Sequence, residues 1–120
     1  MDFADFIYEP EFLDDWKSFG LSIEQDLWDL EVAIAAVPKT GNVIPGSGGL
    51  RKLRWGRQGI GKRGGVRIIY LWIPEIVVGY MVLVYAKSEA DDLSRTVVRE
   101  IKVQAEIVRK ALLKFYGVEV

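Results

Sequence analysis

Residues 68–86 read IIYLWIPEIVVGYMVLVYA and contain a single charged side chain, Glu75. A membrane-spanning helix needs about 20 apolar residues, so the length alone would almost allow one. However, Pro74 and Glu75 interrupt the stretch, and β-branched and aromatic residues dominate it, which favours strands over a helix. We therefore predict two buried antiparallel strands, residues 66–73 and 77–86, joined by a turn, and no membrane association.

The region before this hairpin has the pattern of one short strand and two helices. Residues 6–8 form a predicted strand, and Pro10 suits the first turn of a helix that stops at Gly20. Ser22 is a good N-cap for a second helix, which Pro38 ends. Apolar spacings of three and four predict the buried faces, which are Phe12, Leu13, Trp16 and Phe19 in the first helix and Leu27, Leu30, Ile34 and Val37 in the second.

A third predicted strand and a third predicted helix complete the pattern. Residues 41–49 and 56–65 are interpreted as loops because of their glycine content, and residues 50–55 alternate as a strand does. Ser94 leads into the last helix, which Gly117 ends. The predicted core positions of that helix are Val97, Ile101, Ala105, Val108, Leu112 and Phe115.

These elements predict one domain, residues 1–120, with an α+β fold in which helices pack on a sheet. The chain contains neither cysteine nor histidine. Disulfides, thiolate metal sites and Ser/His or Cys/His nucleophile pairs are therefore excluded, and the usual general base is missing. The acidic start of the chain lacks a charged-then-apolar leader, so we expect no signal peptide and a cytoplasmic location.

Charge is segregated along the chain, although the formal net charge is only −1. Residues 1–37 contain ten acidic residues and one basic residue, residues 38–74 contain eight basic and no acidic residues, and residues 75–120 contain seven of each. Solvated surface charge normally mixes signs. The pattern therefore favours an anion-binding face, suited to a nucleic acid, and a separate acidic surface.

Three cations of the basic region are expected to converge. Lys52 and Arg54 lie two residues apart on one face of the strand 50–55, whereas Arg51 lies on the other face. Arg67 is near the start of the next predicted strand. If the two strands pair, Lys52, Arg54 and Arg67 share a sheet face, where a phosphodiester is a fitting counter-anion. The alternative is that these three cations lie on a solvent-exposed edge of the sheet and bind no anion.

Residues 56–63 read GRQGIGKR and nearly match the nucleotide-binding motif G-x-x-x-x-G-K-[ST]. Arg63 occupies the position of the Mg²⁺-binding hydroxyl, and a predicted strand follows where the motif requires a helix. We therefore interpret the segment as a mobile basic connection in which Arg57, Lys62 and Arg63 contact phosphates.

Four segments in order resemble a known family. They are GNVIPGSGGL (41–50), LRKLRW (50–55), GKRGGVRIIY (61–70) and LVYAKSEADDLS (83–94), and together they resemble the RelE/HigB branch of type II toxins. The resemblance extends over residues 7–113. It implies two N-terminal helices and a C-terminal helix packed on a curved, mainly antiparallel four-stranded sheet.

The resemblance also implies a function. Such toxins are endoribonucleases that cut mRNA, usually in the ribosomal A site, and so inhibit translation without a cofactor. A partner antitoxin, commonly of the helix-turn-helix type, neutralises them and connects them to operator DNA. The catalytic positions map onto Lys52, Arg54, Arg67 and Lys87, and we expect further RNA contacts from Arg51, Arg57, Lys62, Arg63 and Tyr85.

The residues allow a metal-independent mechanism in which the RNA 2′-hydroxyl attacks its own 3′-phosphate and leaves a cyclic phosphate. Lys52 is the candidate proton acceptor, and Arg67 would stabilise the pentavalent phosphorane. Lys87 or Arg54 would assist the leaving oxygen. Some relatives use a C-terminal tyrosine or histidine, but this chain has no histidine, and Tyr116 lies at the far end of the last helix.

Three alternatives remain open at this point. A gyrase-directed toxin shares the fold but does not cut RNA, and a non-catalytic module would bind RNA or protein through cations and aromatic rings. A third is a metal nuclease in which Glu89, Asp91 and Asp92 hold Mg²⁺. Asp91, Asp92 and Ser94 are, however, also typical of the residues that cap a helix N-terminus.

Overall fold

The computed structural model describes residues 4–56, 65–86 and 93–119. Within them, the elements in chain order are β1 (Asp5–Tyr8), α1 (Pro10–Ser18), a π-helical turn (Ile23–Leu27) that leads into α2 (Trp28–Ala36), β2 (Asn42–Val43), β3 (Arg51–Trp55), β4 (Val66–Ile73), β5 (Val78–Ala86) and α3 (Arg95–Phe115). The predicted order of strands and helices is confirmed, with β2 as an addition.

The strands form one mixed sheet in the order β1-β5-β4-β3-β2. The β4–β5 hairpin lies at its centre, β3 and β2 continue the sheet antiparallel on one side, and β1 runs parallel to β5 on the other. The expectation of four strands was wrong, because Asn42 and Val43 pair with Lys52 and Arg51 within a region interpreted as loop. Two residues are too few to show the alternation by which a strand is recognised in a sequence.

The helices lie on opposite faces of the sheet. Helices α1 and α2 cover one face, in a core built from Phe12, Trp16, Leu30, Ile34, Ile68 and Tyr70, among others. Helix α3 covers the other, where Ile69, Ile73 and Tyr80 pack with Ile101, Ala105 and Leu113. Because both faces of β4 and β5 are covered, these strands are almost continuously apolar. No helix in the described part of the chain has the length and apolar character needed to span a bilayer.

The predicted caps are confirmed, but Ser22 caps the π-helical turn, and the second α-helix begins at Trp28 rather than directly after Ser22. The hydroxyl of Ser22 accepts from the backbone N–H groups of Gln25 (3.2 Å) and Asp26 (3.0 Å), and that of Ser94 accepts from Val97 N–H (3.2 Å). These bonds satisfy donors that a helix leaves unpaired at its start.

Two of the predicted core positions were wrong. Val37 is 57% exposed because α2 already ends at Ala36. Phe115, in the last turn of α3, is 83% exposed and packs edge-on against the ring of Tyr116 rather than into the core.

Candidate functional site

A row of three side chains crosses the sheet on the face covered by α3. Arg54 of β3 lies directly opposite Arg67 of β4, and Arg67 lies directly opposite Tyr85 of β5. Directly opposed residues of antiparallel strands are about 5 Å apart, and like charges at that distance repel each other. The predicted convergence of Arg54 and Arg67 is therefore confirmed, and it creates a local excess of positive charge.

Arg67 is the most unusual member of this row because it is buried, with only 4% of its surface exposed. Its Nη1 atom is fully buried and has no hydrogen-bond partner among residues 4–56, 65–86 and 93–119. Nor does any carboxylate of these residues form an ion pair with it. A buried charged group without a partner is costly, so this guanidinium is suited to an anion supplied from outside the chain.

Lys52 extends the cationic face toward the edge of the sheet. It lies two residues before Arg54 on the same side of β3, opposite Asn42 of β2 and Ile69 of β4. Residues two apart in a strand are separated by roughly 7 Å. Lys52, Arg54 and Arg67 therefore share one face, as the alternating pattern predicts, and Lys52 is half-buried there.

Tyr85 of β5 is the last member of the row, on the side away from β2 and β3. Its side chain is only 8% exposed and belongs to the core between the sheet and α3. A base that stacks on this ring would need an open ring face, which such burial does not leave. The position of Tyr85 therefore suits packing beside Arg67 better than stacking on an RNA base. An RNA contact of Tyr85 stays a prediction.

The structure separates Arg51 from this group. Arg51 lies opposite Tyr70, on the face covered by α1 and α2, and its Nη1 donates to the carbonyl oxygens of Gly41 (2.7 Å) and Lys39 (3.4 Å). These bonds fix the chain that leads from α2 into β2. An RNA contact of Arg51 stays a prediction, but its placement indicates a structural role.

Tyr70 also holds the connection between α2 and β2 in place. Its hydroxyl donates to Pro38 O (2.7 Å) and accepts from the Gly41 N–H group (3.0 Å). Burial raises the pKa of this hydroxyl, against the opposing effects of Gly41 and Arg51. It therefore stays protonated, and able to donate, at neutral pH.

Several predicted site residues lie outside the described residues. These are Lys87 among the catalytic candidates and Arg57, Lys62 and Arg63 among the RNA contacts. Glu89, Asp91 and Asp92, the alternative Mg²⁺ ligands, also lie outside them. In the described part of the chain, no three acidic side chains are grouped so that they could hold a metal ion. The roles of the site residues outside the described ranges stay predictions.

A cavity of about 650 Å³ adjoins the cationic face between the sheet edge and the start of α3. Its walls are residues 42–46 and Lys52 on the sheet side and Leu93, Arg95, Val98 and Arg99 on the helix side. Sequence patterns did not single out Arg95 or Arg99. Their spacing of four residues directly after the Ser94 cap, which places both on one helix face, is the signal that could have identified them.

Comparison with known proteins finds similarity in structure. No family model matches the chain. A double arginine-to-alanine variant of the Escherichia coli toxin RelE in the free state superposes with a TM-score of 0.58 at 19% identity, over 87% of this chain and 98% of that one. The isolated E. coli RelE toxin gives 0.54 at 20% identity, over 82% and 96%.

A third structure holds the same RelE variant in complex with a peptide of the antitoxin RelB. It gives a TM-score of 0.54 at 21% identity, over 78% of this chain and 98% of that one. At this level of identity the similarity establishes the shared architecture, which agrees with the resemblance found in the sequence. This chain has the fold of RelE toxins.

Proposed function

We propose that this protein is the toxin of a type II toxin–antitoxin pair and that it cleaves mRNA, in a ribosome-dependent manner, to inhibit translation. The single observation that supports this best is the buried Arg67 beside Arg54, whose Nη1 has no partner among the described residues. A scissile phosphate would supply the missing anion. The RelE fold adds support, because the toxins that share it include one that binds an antitoxin peptide.

The proposed reaction needs one nucleophile that RNA carries itself. The 2′-hydroxyl oxygen attacks the adjacent phosphorus, the bond from phosphorus to the 5′-oxygen of the next nucleotide breaks, and a 2′,3′-cyclic phosphate forms. The 2′-hydroxyl proton passes to a base, and the departing 5′-oxygen takes up a proton from an acid. Negative charge increases on the non-bridging oxygens in the transition state, so a fixed cation beside them lowers the barrier.

The proposed roles rest on the chemistry of the side chains and, for the described residues, are supported by their positions. Arg67, held rigidly by burial, stabilises the charge on the phosphorane, and its planar fork suits two oxygens at once. Lys52 is the candidate base on the open side of the row. Arg54, which is exposed, or Lys87 is the candidate to assist the leaving oxygen. None of these steps calls on a metal ion.

Cleavage of an mRNA on programmed ribosomes tests the proposal. Arg67→Ala should reduce the rate about a hundredfold, since one such contact is typically worth ~3 kcal/mol in the transition state. Lys110→Ala removes one exposed charge in the C-terminal half of α3 and should leave the rate unchanged. Wild-type rates from Arg67→Ala would refute the role of Arg67.

The same preparation separates the proposal from its alternatives. A gyrase-directed toxin would leave mRNA intact and inhibit supercoiling of a plasmid by purified gyrase. A non-catalytic module would bind RNA, with or without ribosomes, and never cut it. A 2′,3′-cyclic phosphate at the new RNA end, identified by mass spectrometry, is expected only from the reaction proposed here.

The partners follow from the same proposal. The toxin acts in the cytoplasm on mRNA and ribosomes, and a cognate antitoxin of the helix-turn-helix type binds it and carries it to operator DNA. We expect a short reading frame beside the one that encodes this chain. Its product should co-purify with the toxin and suppress cleavage. A toxin that binds the operator by itself would contradict this arrangement.

A further inference from the structure

We propose that the cavity beside Lys52 is a second phosphate site, which uses Arg95 and Arg99 of α3 to hold the RNA nucleotide that flanks the scissile phosphate. This inference rests on the proposed function, since it extends the same RNA strand along the protein. The cavity lies between the edge of the sheet at β2 and β3 and the first turns of α3.

Among the described residues that line the cavity, all charges have one sign. The ionisable ones are Lys52, Arg95 and Arg99, and none of the described lining residues is acidic. Arg95 and Arg99 are exposed and form neither a side-chain hydrogen bond nor an ion pair with any described residue. Arg109 of the same helix, by contrast, is bonded to Glu75 at 2.6 Å. The two cavity arginines are therefore available for an external anion.

The cavity is continuous with the proposed cleavage site through Lys52. Lys52 lines the cavity and also lies roughly 7 Å along β3 from Arg54, on the same face. An RNA strand whose scissile phosphate lies at Arg67 must place its neighbouring phosphate one nucleotide away. Toward the sheet edge, that nucleotide meets Lys52 and then the arginines of α3.

The size and lining of the cavity specify what it binds. A volume of about 650 Å³ is within the range of small-ligand sites and can hold one nucleotide. Its other described lining residues are mostly small or apolar, with Val43, Ile44, Pro45, Leu93 and Val98 among them, and include no aromatic ring. Binding should therefore depend on the phosphate, tolerate any base and weaken with salt.

The test measures RNA binding separately from cleavage. A fluorescent seven-nucleotide RNA, 2′-O-methylated throughout so that the nucleophile is absent, is titrated with the full chain at several salt concentrations. We compare the wild type, the double variant R95Q/R99Q and the matched control K110Q/K114Q, which removes two charges from the other end of α3. Circular dichroism establishes that all three are folded.

We expect R95Q/R99Q to bind about tenfold more weakly than the wild type and K110Q/K114Q to bind within twofold of it. The slope of log affinity against log salt should fall by about 0.7, the value for one lost phosphate contact with a single strand. The single variants R95Q and R99Q should each show about half the effect and serve if the double variant does not fold. With a three-nucleotide RNA that ends at the scissile position, the difference should disappear.

The outcomes distinguish this inference from the proposed function. Equal affinities of R95Q/R99Q and the wild type for the longer RNA, while the wild type still cleaves mRNA, would overturn the second site alone. Weaker binding by R95Q/R99Q without cleavage by any form would overturn the nuclease and retain the site. R95Q/R99Q could instead bind RNA normally but bind the purified antitoxin more weakly. The cavity would then accept an acidic protein segment, which also overturns the inference.

Discussion

At the scale of single residues, the protein maintains an arrangement that costs stability. Arg67 is buried opposite a second arginine, and one of its donor atoms finds no acceptor in the described part of the chain. An apolar side chain of the same length would satisfy the core better, since buried charges rarely repay their desolvation. A cost of this kind is typical of functional sites, where binding a ligand compensates for it.

This argument predicts opposite effects on stability and activity from one substitution. Arg67→Met keeps the length of the side chain and removes the buried charge, so the free energy of unfolding should increase by ~1–3 kcal/mol. RNA cleavage by the same variant should fall about a hundredfold. Urea unfolding and the ribosome assay measure the two quantities.

Arg54→Met is the matched control, because it removes the same charge from an exposed position. It should change stability by less than about 1 kcal/mol. A marked loss of stability in Arg67→Met would contradict the interpretation, because it would mean that the guanidinium already has satisfying partners within the folded chain.

At the scale of elements, the sequence predicted what depends on local pattern. The hairpin of β4 and β5, the caps at Ser22 and Ser94 and the shared face of Lys52 and Arg54 follow from alternation or from cap chemistry, and all are confirmed. The two-residue β2 was missed because it forms only when the edge of β3 is there to pair with it.

The second cationic group was missed for a different reason. Arg95 and Arg99 fall in a region whose acidic and basic residues cancel, so a count of charges by region hides them. Only the packing of α3 against the sheet edge brings them to the same cavity as Lys52. Arg51, one of the expected RNA contacts, lies on the opposite face of β3, as the alternation of the strand predicts.

The contact between β1 and β5 gives an element-scale prediction. A Cβ added at Gly79 would lie 2.6 Å from Cε1 of Phe6, the residue opposite it in the parallel pair. Gly79→Ala should therefore displace the phenyl ring and lower the free energy of unfolding by ~1–3 kcal/mol. Chemical denaturation measures the loss.

A double-mutant cycle identifies the cause. Phe6→Leu shortens the opposing side chain, so the cost of Gly79→Ala should be clearly smaller in that background. Equal costs in both backgrounds would show that the ring is not the obstacle and that the backbone of β5 itself requires glycine.

At the scale of the whole molecule, the sheet divides two electrostatic surfaces. Half of the acidic residues of segment 1–37 lie on α1 and α2, where Glu11, Asp14, Asp15 and Asp29 are exposed. The row of Arg54 and Arg67 lies on the opposite face, together with α3. A polyanion is therefore attracted to one side of the molecule and repelled from the other, which the net charge of −1 conceals.

Two tyrosines, the partly buried Tyr8 and the buried Tyr80, attach the acidic helices and the first strand to the rest of the fold and make stability depend on pH. The hydroxyl of Tyr8 donates to Glu31, and that of Tyr80 donates to Glu9. Burial, followed by the hydrogen bond and the charge of the glutamate, raises the pKa of each hydroxyl above its ordinary value. Both therefore stay protonated in the folded state at a pH where they ionise in the unfolded chain.

The sign of the effect follows from that difference. The stabilisation is fully present below about pH 10, where the unfolded tyrosines also keep their protons, and it is lost as the pH rises further. Each tyrosine should lower the free energy of unfolding by at most ~1.4 kcal/mol per pH unit above that point. Urea unfolding between pH 8 and pH 11.5, with Tyr8→Phe, Tyr80→Phe and the double variant, measures the slopes. Each substitution should remove the contribution of one tyrosine to the decrease in the free energy of unfolding with pH. If that decrease is as steep in the double variant as in the wild type, other groups of the chain cause the alkaline sensitivity.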